Sequence, residues 1–288
     1  MGTTGMTIAV AVALSMLAAY WWLTRGPRSF RARFARDTAD SLARQAGPSV
    51  VTEADVARCP LPVQRYLRGV GAVGQPRVLN YRLRFSGRIR SAPDARWMPF
   101  EADQLSVADP PARFFLMRAR MFGIPVEAFH RFVGGHATMQ VKLAGAIPLV
   151  DAHGEDMDRS ETVTLFNDMC LLAPATLIDS TIAWDAVDQR TVRARFSSGA
   201  QIISATLCFG DDGLLTTFTS EDRSKSSPDG KVFTRFPFST PVRDYRRFGA
   251  IRLAAHGEAR WTLPSGVFTY GEFDLQEVTY NVGRTGDR

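Results

Sequence analysis

The stretch DRSETVTLFNDMCLLAPATLIDS, residues 158–180, determines how the rest of the sequence is interpreted. It predicts a helix over residues 158–173, because Asp158 and Glu161 have the spacing of a capping box and Pro174 stops the helix. Apolar side chains cover most of the circumference of this helix. A helix that is apolar on most sides must be enclosed by other elements.

The segments on both sides of this helix have the period of β-strands. In YRLRFSGRIR, residues 81–90, apolar side chains alternate with arginines, which predicts a half-buried strand with a basic outer side. That outer side is formed by Arg82, Arg84, Arg88 and Arg90. Further strands are predicted at 96–107, 112–122, 125–133, 136–143, 146–152, 181–187, 190–197, 200–209, 213–222, 231–238, 250–261 and 267–282.

These strands are joined by short turns with no helices between them, which favours an antiparallel sheet. A strongly twisted sheet of this size has a concave face that must be filled. The predicted fold class is therefore mainly β (α+β). It is a large curved antiparallel sheet, or half-barrel, that encloses the central apolar helix. Residues 51–282 are predicted to form this single β domain, with short helices at its start and a disordered tail at 283–288.

The amino-terminal run MTIAVAVALSMLAAYWWL, residues 6–23, is uncharged and would span roughly 27 Å as a helix. It predicts a transmembrane anchor over residues 1–24, with aromatic residues at one membrane interface. A cleaved signal peptide is the alternative. It is less favoured because no Lys or Arg precedes the run and no small-residue cleavage site follows it.

Much of the net charge of +6 lies just after this run, in a segment predicted as a basic juxtamembrane linker or helix over residues 25–50. The positive-inside rule then predicts a single-pass protein of the bacterial inner membrane with its main domain in the cytoplasm, the periplasm being the alternative. Three cysteines without disulfide spacing suit a reducing compartment. Membrane lipid is the first expected partner.

Several classes of function are disfavoured by the sequence. No basic stripe or nucleic-acid-binding module is present on the β domain, so nucleic acid is not an expected partner. No metal is expected either, since the cysteines lack zinc-site spacing. The motif GVGAVG, residues 69–74, follows a predicted helix instead of a strand and precedes Pro76, so no nucleotide cofactor is expected.

Several stretches together resemble a bacterial family that is catalogued as a domain of unknown function and often carries an amino-terminal membrane segment. They span about residues 61–282 and read LPVQRYLRGVG, PFEADQLSVADPPARFFLMRARMF, LAPATLIDSTIAWDAVD and GEARWTLPSGVFTYGEFDLQEVTYNV. The resemblance implies no activity. The predicted shape is also similar to the bacterial lipoprotein-carrier fold, a curved sheet closed by helices around an apolar cavity.

Aromatic and sulfur-bearing residues recur along the strands and the central helix. Core packing explains most of them, while the functional interpretation is a cavity that binds an apolar or amphiphilic small molecule such as a lipid. The candidate ligand-binding residues are Phe114, Met117, Phe166, Met169, Trp184, Trp261 and Tyr270. No catalytic residue is assigned on this interpretation.

A second hypothesis is a hydrolase-like enzyme acting on membrane-derived substrates. Its polar residues precede or begin the central helix and are Asp151, His153, Glu155 and Asp158. Imidazole and carboxylates can hold a metal or supply acid–base chemistry, but a solvated loop before a helix N-terminus has the same composition. A third hypothesis is a membrane-surface scaffold whose basic outer strand and juxtamembrane arginines contact anionic lipid or a partner protein.

Overall fold

The computed structural model describes residues 3–42 and 49–283. Its helices are α1 (Thr3–Arg25), α2 (Phe30–Ser41), α3 (Glu53–Val56), α4 (Leu61–Gly69) and α5 (Glu155–Leu172), the last followed by a 3₁₀ turn (Pro174–Ile178). The strands before α5 are β1 (Asn80–Ile89), β2 (Met98–Val107), β3 (Ala112–Met121), β4 (Ile124–Val133), β5 (His136–Leu143) and β6 (Ile147–His153). Those after it are β7 (Ile182–Ala186), β8 (Thr191–Ser198), β9 (Gln201–Phe209), β10 (Leu215–Ser220), β11 (Ser224–Ser226), β12 (Phe233–Arg235), β13 (Phe238–Phe248), β14 (Ile251–Leu263) and β15 (Gly266–Tyr280).

Thirteen strands form one antiparallel sheet in the order β6-β5-β4-β3-β2-β1-β15-β14-β13-β10-β9-β8-β7, and β11 and β12 form a separate hairpin. Helix α5 contacts β5 and β6 near one edge of the sheet and also β14, β10 and β9 further along it. One helix can touch strands so far apart in the order only if the sheet curls around it. The predicted fold class, a large curved sheet enclosing a central helix, is confirmed.

Helix α5 begins three residues earlier than predicted, at Glu155, and Gly154 precedes it without a side-chain cap. Asp158 lies inside the helix, and its carboxylate accepts a hydrogen bond from the Ala137 backbone N–H at 2.6 Å. Glu161 is buried. The predicted capping box is therefore wrong, because both acids bond to the sheet instead of to the helix N-terminus.

The last carbonyls of α5 are satisfied by tyrosines from outside the helix. The Tyr66 hydroxyl of α4 donates to the Cys170 carbonyl at 2.9 Å, and the Tyr280 hydroxyl of β15 donates to the Leu172 carbonyl at 2.5 Å. Tyr66 is fully buried, whereas Tyr280 is half-buried. Since the final carbonyls of a helix have no partner within it, these bonds fix where α5 ends against the sheet.

We expect Tyr66→Phe to lower the free energy of unfolding by about 1–3 kcal/mol, because it leaves the buried Cys170 carbonyl without its donor. Tyr280→Phe tests the second bond at this helix end and should change the free energy of unfolding in the same direction, because it removes the donor to the Leu172 carbonyl. Urea unfolding followed by fluorescence would measure both. An unchanged midpoint for Tyr66→Phe would show that the bond does not stabilise the helix end.

Helix α1 is long and apolar enough to cross a membrane, as judged by length and composition. Helix α2 packs on the outer face of β3 and β4, where Phe30 and Phe34 contact the ring of Phe129 with centroids 5.9 and 6.3 Å away. Residues 30–41 of the predicted basic linker are thus a helix docked on the sheet. Residues 43–48 of that segment, and 284–288 of the predicted tail, lie outside the described residues.

The largest strand missing from the sequence prediction is β13. Asp244 has a left-handed backbone conformation with φ 60°, and the register with β14 passes from Arg243 to Tyr245 around it. This irregularity, together with Pro241, breaks the period of two that marks a strand. The predicted strand 231–238 is instead divided between the end of the β11–β12 hairpin and the start of β13.

Candidate ligand cavity

Helix α5 lies on the concave face with both of its ends bonded at the same end of the sheet. Its first turns are bonded to Ala137 at the start of β5, and its last turn is bonded by Tyr280 at the end of β15. Antiparallel pairing places both positions at the same end of the sheet. The opposite end, here called the tip end, comprises the connections 90–97, 122–123, 144–146 and 264–265.

A cavity of about 470 Å³ extends along the concave face from α5 toward the tip end. Its walls are mainly apolar and come from the inner faces of the strands and one face of α5. The principal apolar lining residues are Phe85, Met98, Phe115, Met117, Val126, Met139, Val141, Val150, Met157, Leu171, Phe233, Phe238, Trp261, Phe268, Tyr270 and Phe273. The volume lies in the range of small-molecule binding sites.

The β11–β12 hairpin covers one side of the cavity. The Ser224 backbone N–H donates to the Ser160 hydroxyl of α5 at 3.0 Å. At the hairpin turn, Gly230 approaches edge strand β6 so closely that a Cβ there would lie 2.7 Å from Val150 Cγ1. The hairpin therefore extends from the central helix to the far edge of the sheet.

A buried charged cluster forms the floor of the cavity where the sheet meets α5. The Arg113 guanidinium donates from Nε to Asp168 Oδ2 at 2.7 Å and from Nη1 to Glu161 Oε2 at 3.1 Å. Gln104 links the cluster by donating to Asp168 Oδ2 at 2.8 Å and accepting from Arg113 Nη2 at 3.2 Å. All four side chains are buried, so the carboxylates depend on Arg113 for compensation.

Glu161 also meets His130, whose Nδ1 lies 3.3 Å from Oε1. Burial by itself raises the pKa of Glu161, but the hydrogen bond from His130 and the charge of Arg113 outweigh it and lower the pKa from 4.5 to about 2. The carboxylate therefore stays ionised throughout the physiological range. The cavity floor therefore contains two acidic side chains, Glu161 and Asp168, and one permanent cation, Arg113.

Sequence reasoning missed this cluster, although a signal for it exists. Arg113 stands on the same strand face as Phe115 and Met117, so a charged residue occupies an inward position of an apolar pattern. Glu161 and Asp168 are two helical turns apart and share one face of the apolar helix. A charge at an enclosed position indicates a partner of opposite charge, but the sequence does not say which one.

Of the candidate ligand-binding residues, Met117, Trp261 and Tyr270 line the cavity. Phe114 points to the opposite face of β3, as alternation with Phe115 requires, and packs in the cluster beneath α2. Phe166 faces away from the cavity on α5 and stacks on Phe196 with ring centroids 4.9 Å apart.

The last two candidates also lie elsewhere. Met169 is buried in the main core, outside the cavity lining. Trp184 stands on edge strand β7, where it borders a separate surface groove. Both packing positions follow from tertiary contacts that the sequence pattern does not distinguish from a cavity wall.

The alternative polar residues are not brought together. Asp151, His153 and Glu155 are exposed, and Asp151 accepts from Gln140 at 3.0 Å. Asp158 bonds the start of β5 instead. Among residues 3–42 and 49–283, no group of three His, Cys, Asp or Glu side chains could hold a metal ion.

Arg90 was predicted on the outer face of the first strand, and the structure places it differently. Strand β1 ends at Ile89, and the Arg90 guanidinium carbon lies 4.4 Å from the Trp97 ring and 5.4 Å from the Phe268 ring. Arg90 therefore lines the cavity at the tip end. Arg90 is the first residue after β1, at the start of the β1–β2 connection, where strand alternation no longer determines the direction of a side chain.

The fold and the site thus define a protein with a curved sheet, an internal helix, and beside that helix a cavity that has apolar walls and a charged floor. The chain belongs to DUF6544, a family of unknown function, which it matches over residues 49–273. The predicted membership of a family of unknown function is confirmed. No curated protein matches the chain.

Solved structures that are similar to the chain include the following three. A DUF1329 family protein from Desulfovibrio piger shares 13% identity over 82% of this chain and 95% of that protein, with a TM-score of 0.43. A putative outer membrane lipoprotein-sorting protein domain from Vibrio parahaemolyticus shares 8% identity over 81% and 93% of the two chains, with a TM-score of 0.42. A LolA superfamily protein from Nitrosomonas europaea shares 7% identity over 81% and 94%, also with a TM-score of 0.42.

Proposed function

We propose that this protein binds an amphiphilic small molecule, most simply a lipid, in the cavity between the sheet and α5. The observation that carries the proposal is the cavity of about 470 Å³, whose walls are apolar while its floor holds the Arg113 cluster. Apolar walls favour a hydrocarbon portion, and a few convergent polar groups orient a ligand within such a pocket. The methionines in the lining suit hydrocarbon chains of variable shape.

We further propose that α1 anchors the protein in the bacterial inner membrane with the cavity facing the bilayer. Thr24, at the end of α1, lies against Gly145 in the β5–β6 connection, so the apolar helix reaches the domain at the tip end. The neighbouring connection exposes 89% of Phe122, and Ile124 beside it is also exposed. Apolar side chains at such a position favour contact with lipid.

The cytoplasmic side remains our proposal for the main domain, since arginines follow α1. Two of these arginines also bond to the β domain. Arg31 donates to Glu127 at 2.9 Å, and Arg33 donates to Gln140 at 2.7 Å. A reporter fused after the last residue would be active in the cytoplasm on this proposal. Activity confined to the periplasm would reverse the orientation.

Filling the cavity should abolish binding without unfolding the protein. Val141 lines the cavity from β5, so Val141→Trp places a large ring where the ligand chain would lie. We expect native mass spectrometry of detergent-extracted wild type to show a co-purified lipid, and Val141→Trp to lose it. In displacement of Nile red, a neutral apolar dye, the variant should bind at least about tenfold more weakly.

Ile202→Trp is the matched control, because Ile202 is 58% exposed on β9 and outside the cavity lining. It should bind dye and lipid like the wild type. Equal binding by Val141→Trp and the wild type would show that the cavity is not the binding site. Wild type free of lipid and unable to bind Nile red would refute the proposed function.

A further inference from the structure

Three cations line the cavity: Arg90 in the β1–β2 connection at the tip end, and Arg223 and Lys225 after β10. All three are half-buried. None of them forms an ion pair with any residue in the part of the chain that the structure describes. Neighbouring arginines do form such pairs, since Arg88 holds Glu272 at 2.7 Å and Arg159 holds Asp222 at 2.6 Å.

The two arginines converge on Tyr270. The Arg90 backbone N–H donates to the Tyr270 carbonyl at 2.9 Å, and Arg223 Nη1 donates to the Tyr270 hydroxyl at 2.8 Å. Tyr270 in turn stacks on Trp261, with ring centroids 5.8 Å apart. Arg90 is therefore held at the backbone of Tyr270, and Arg223 is held at the hydroxyl of the same residue.

Aromatic rings hold both guanidinium groups in place. The Arg223 guanidinium carbon lies 4.1 Å from the Phe238 ring and 5.4 Å from the Trp261 ring. Arg90 is held over Trp97 and Phe268 in the same way. These contacts stabilise a cation through the ring face and leave the in-plane N–H donors for other partners. Arg90 donates from Nε to the Thr269 carbonyl at 3.0 Å and from Nη1 to the Pro93 carbonyl at 2.6 Å, so Nη2 is its nitrogen left for a ligand.

The donors of Arg223 are largely unused. Its hydrogen bond from Nη1 to Tyr270 is the only one it makes to a described side chain, which leaves Nε and Nη2 available. Glu161 is the acid whose charge interacts with Arg223, but Arg113 and His130 already bind both of its oxygens. A planar guanidinium with free donors matches the oxygens of a phosphate or carboxylate.

We propose that Arg90, Arg223 and Lys225 bind the anionic head group, a phosphate or a carboxylate, of an amphiphile whose hydrocarbon chain occupies the cavity. This inference rests on the proposed function, because the head group is held at the tip end only if the chain enters beside it. Half-buried cations without a counter-ion gain more from such a ligand than fully solvated ones do. The ligand thereby supplies the charge that the protein lacks at this position.

The test compares two amphiphiles with the same chain, palmitoyl lysophosphatidate and neutral monopalmitoylglycerol, in displacing Nile red from the full chain in neutral detergent. We expect the anionic lipid to bind at least about tenfold more tightly, the effect of one partly buried charge-assisted contact. Arg90→Gln combined with Arg223→Gln should remove this preference while monopalmitoylglycerol binds as before. The retained binding of the neutral lipid shows that the variant is folded.

Arg82→Gln combined with Arg247→Gln removes the same charge from exposed positions and should keep the preference. Equal binding of both lipids to the wild type would overturn the head-group assignment while leaving the proposed function intact. Failure of both lipids to displace bound dye would count against the proposed function itself. Inorganic phosphate alone should not protect the protein against heat, and protection equal to that by lysophosphatidate would overturn the assignment to an amphiphile.

Discussion

Arg113→Ala is expected to lower the free energy of unfolding by about 3–5 kcal/mol, the cost of removing one partner from a buried ion pair. The guanidinium binds Asp168 and Glu161, and the side chains of all three residues are at least 91% buried. Its loss leaves two carboxylates beside an apolar cavity with no permanent cation bonded to them. Urea unfolding monitored by circular dichroism would measure the change.

Arg118→Ala is the control on the same strand. Arg118 donates to Asp103 at 2.7 Å, but this pair is partly exposed on the outer face, so its removal should cost about 1 kcal/mol or less. Replacing the cluster as a whole, by Arg113→Met with Glu161→Met and Asp168→Leu, should recover much of the stability lost in Arg113→Ala. Equal losses for Arg113→Ala and Arg118→Ala would contradict the assigned role of the buried cluster.

The second large effect is a loss of stability in acid that depends on Glu161. Its pKa falls from 4.5 to about 2 on folding, because His130 and Arg113 outweigh the cost of burial. A lowered pKa means that the unfolded chain binds the proton more tightly than the folded one. The contribution is therefore fully present above pH 4.5 and is lost as the pH falls toward 2, with a magnitude on the order of 3 kcal/mol.

Comparing the wild type with Glu161→Gln isolates this contribution, since the other acids titrate in both proteins. Glu161→Gln should be less stable than the wild type at neutral pH, and the difference should shrink as the pH falls below 4.5. Thermal unfolding at a series of pH values would measure it. A difference that stays constant across this range would show that Glu161 has an ordinary pKa in the folded protein.

The architecture could be predicted from the sequence because the strand period and the apolar helix are patterns of neighbouring residues. The period of two in YRLRFSGRIR is confirmed by β1, and most of the other predicted strands match the sheet. The nearly continuous apolar surface of residues 160–173 required enclosure, and α5 is buried. Strand β13 was not predicted, because Pro241 and the left-handed Asp244 interrupt its period of two.

The candidate site could be predicted less well from the sequence, because side chains that line this cavity and side chains that pack in the core are both mainly apolar. Trp261 and Tyr270 line the cavity while Phe166 stacks within the core, yet all three occur in similar patterns. The Arg113 cluster joins residues from β3 and α5 that are far apart in sequence. Its members become neighbours only when the sheet curls around the helix.

By itself the sequence determined the strand period, the enclosed helix, the apolar amino-terminal run and the family, since each depends on neighbouring residues or on the order of motifs along the chain. Only the tertiary structure decided that α5 leaves a cavity beside it, that Arg113 bonds to Glu161 and Asp168, and that the Arg223 guanidinium bonds to Tyr270. The physical reason is that burial and charge compensation depend on distances through space. Those distances follow from the curvature of the whole sheet, which no short segment encodes.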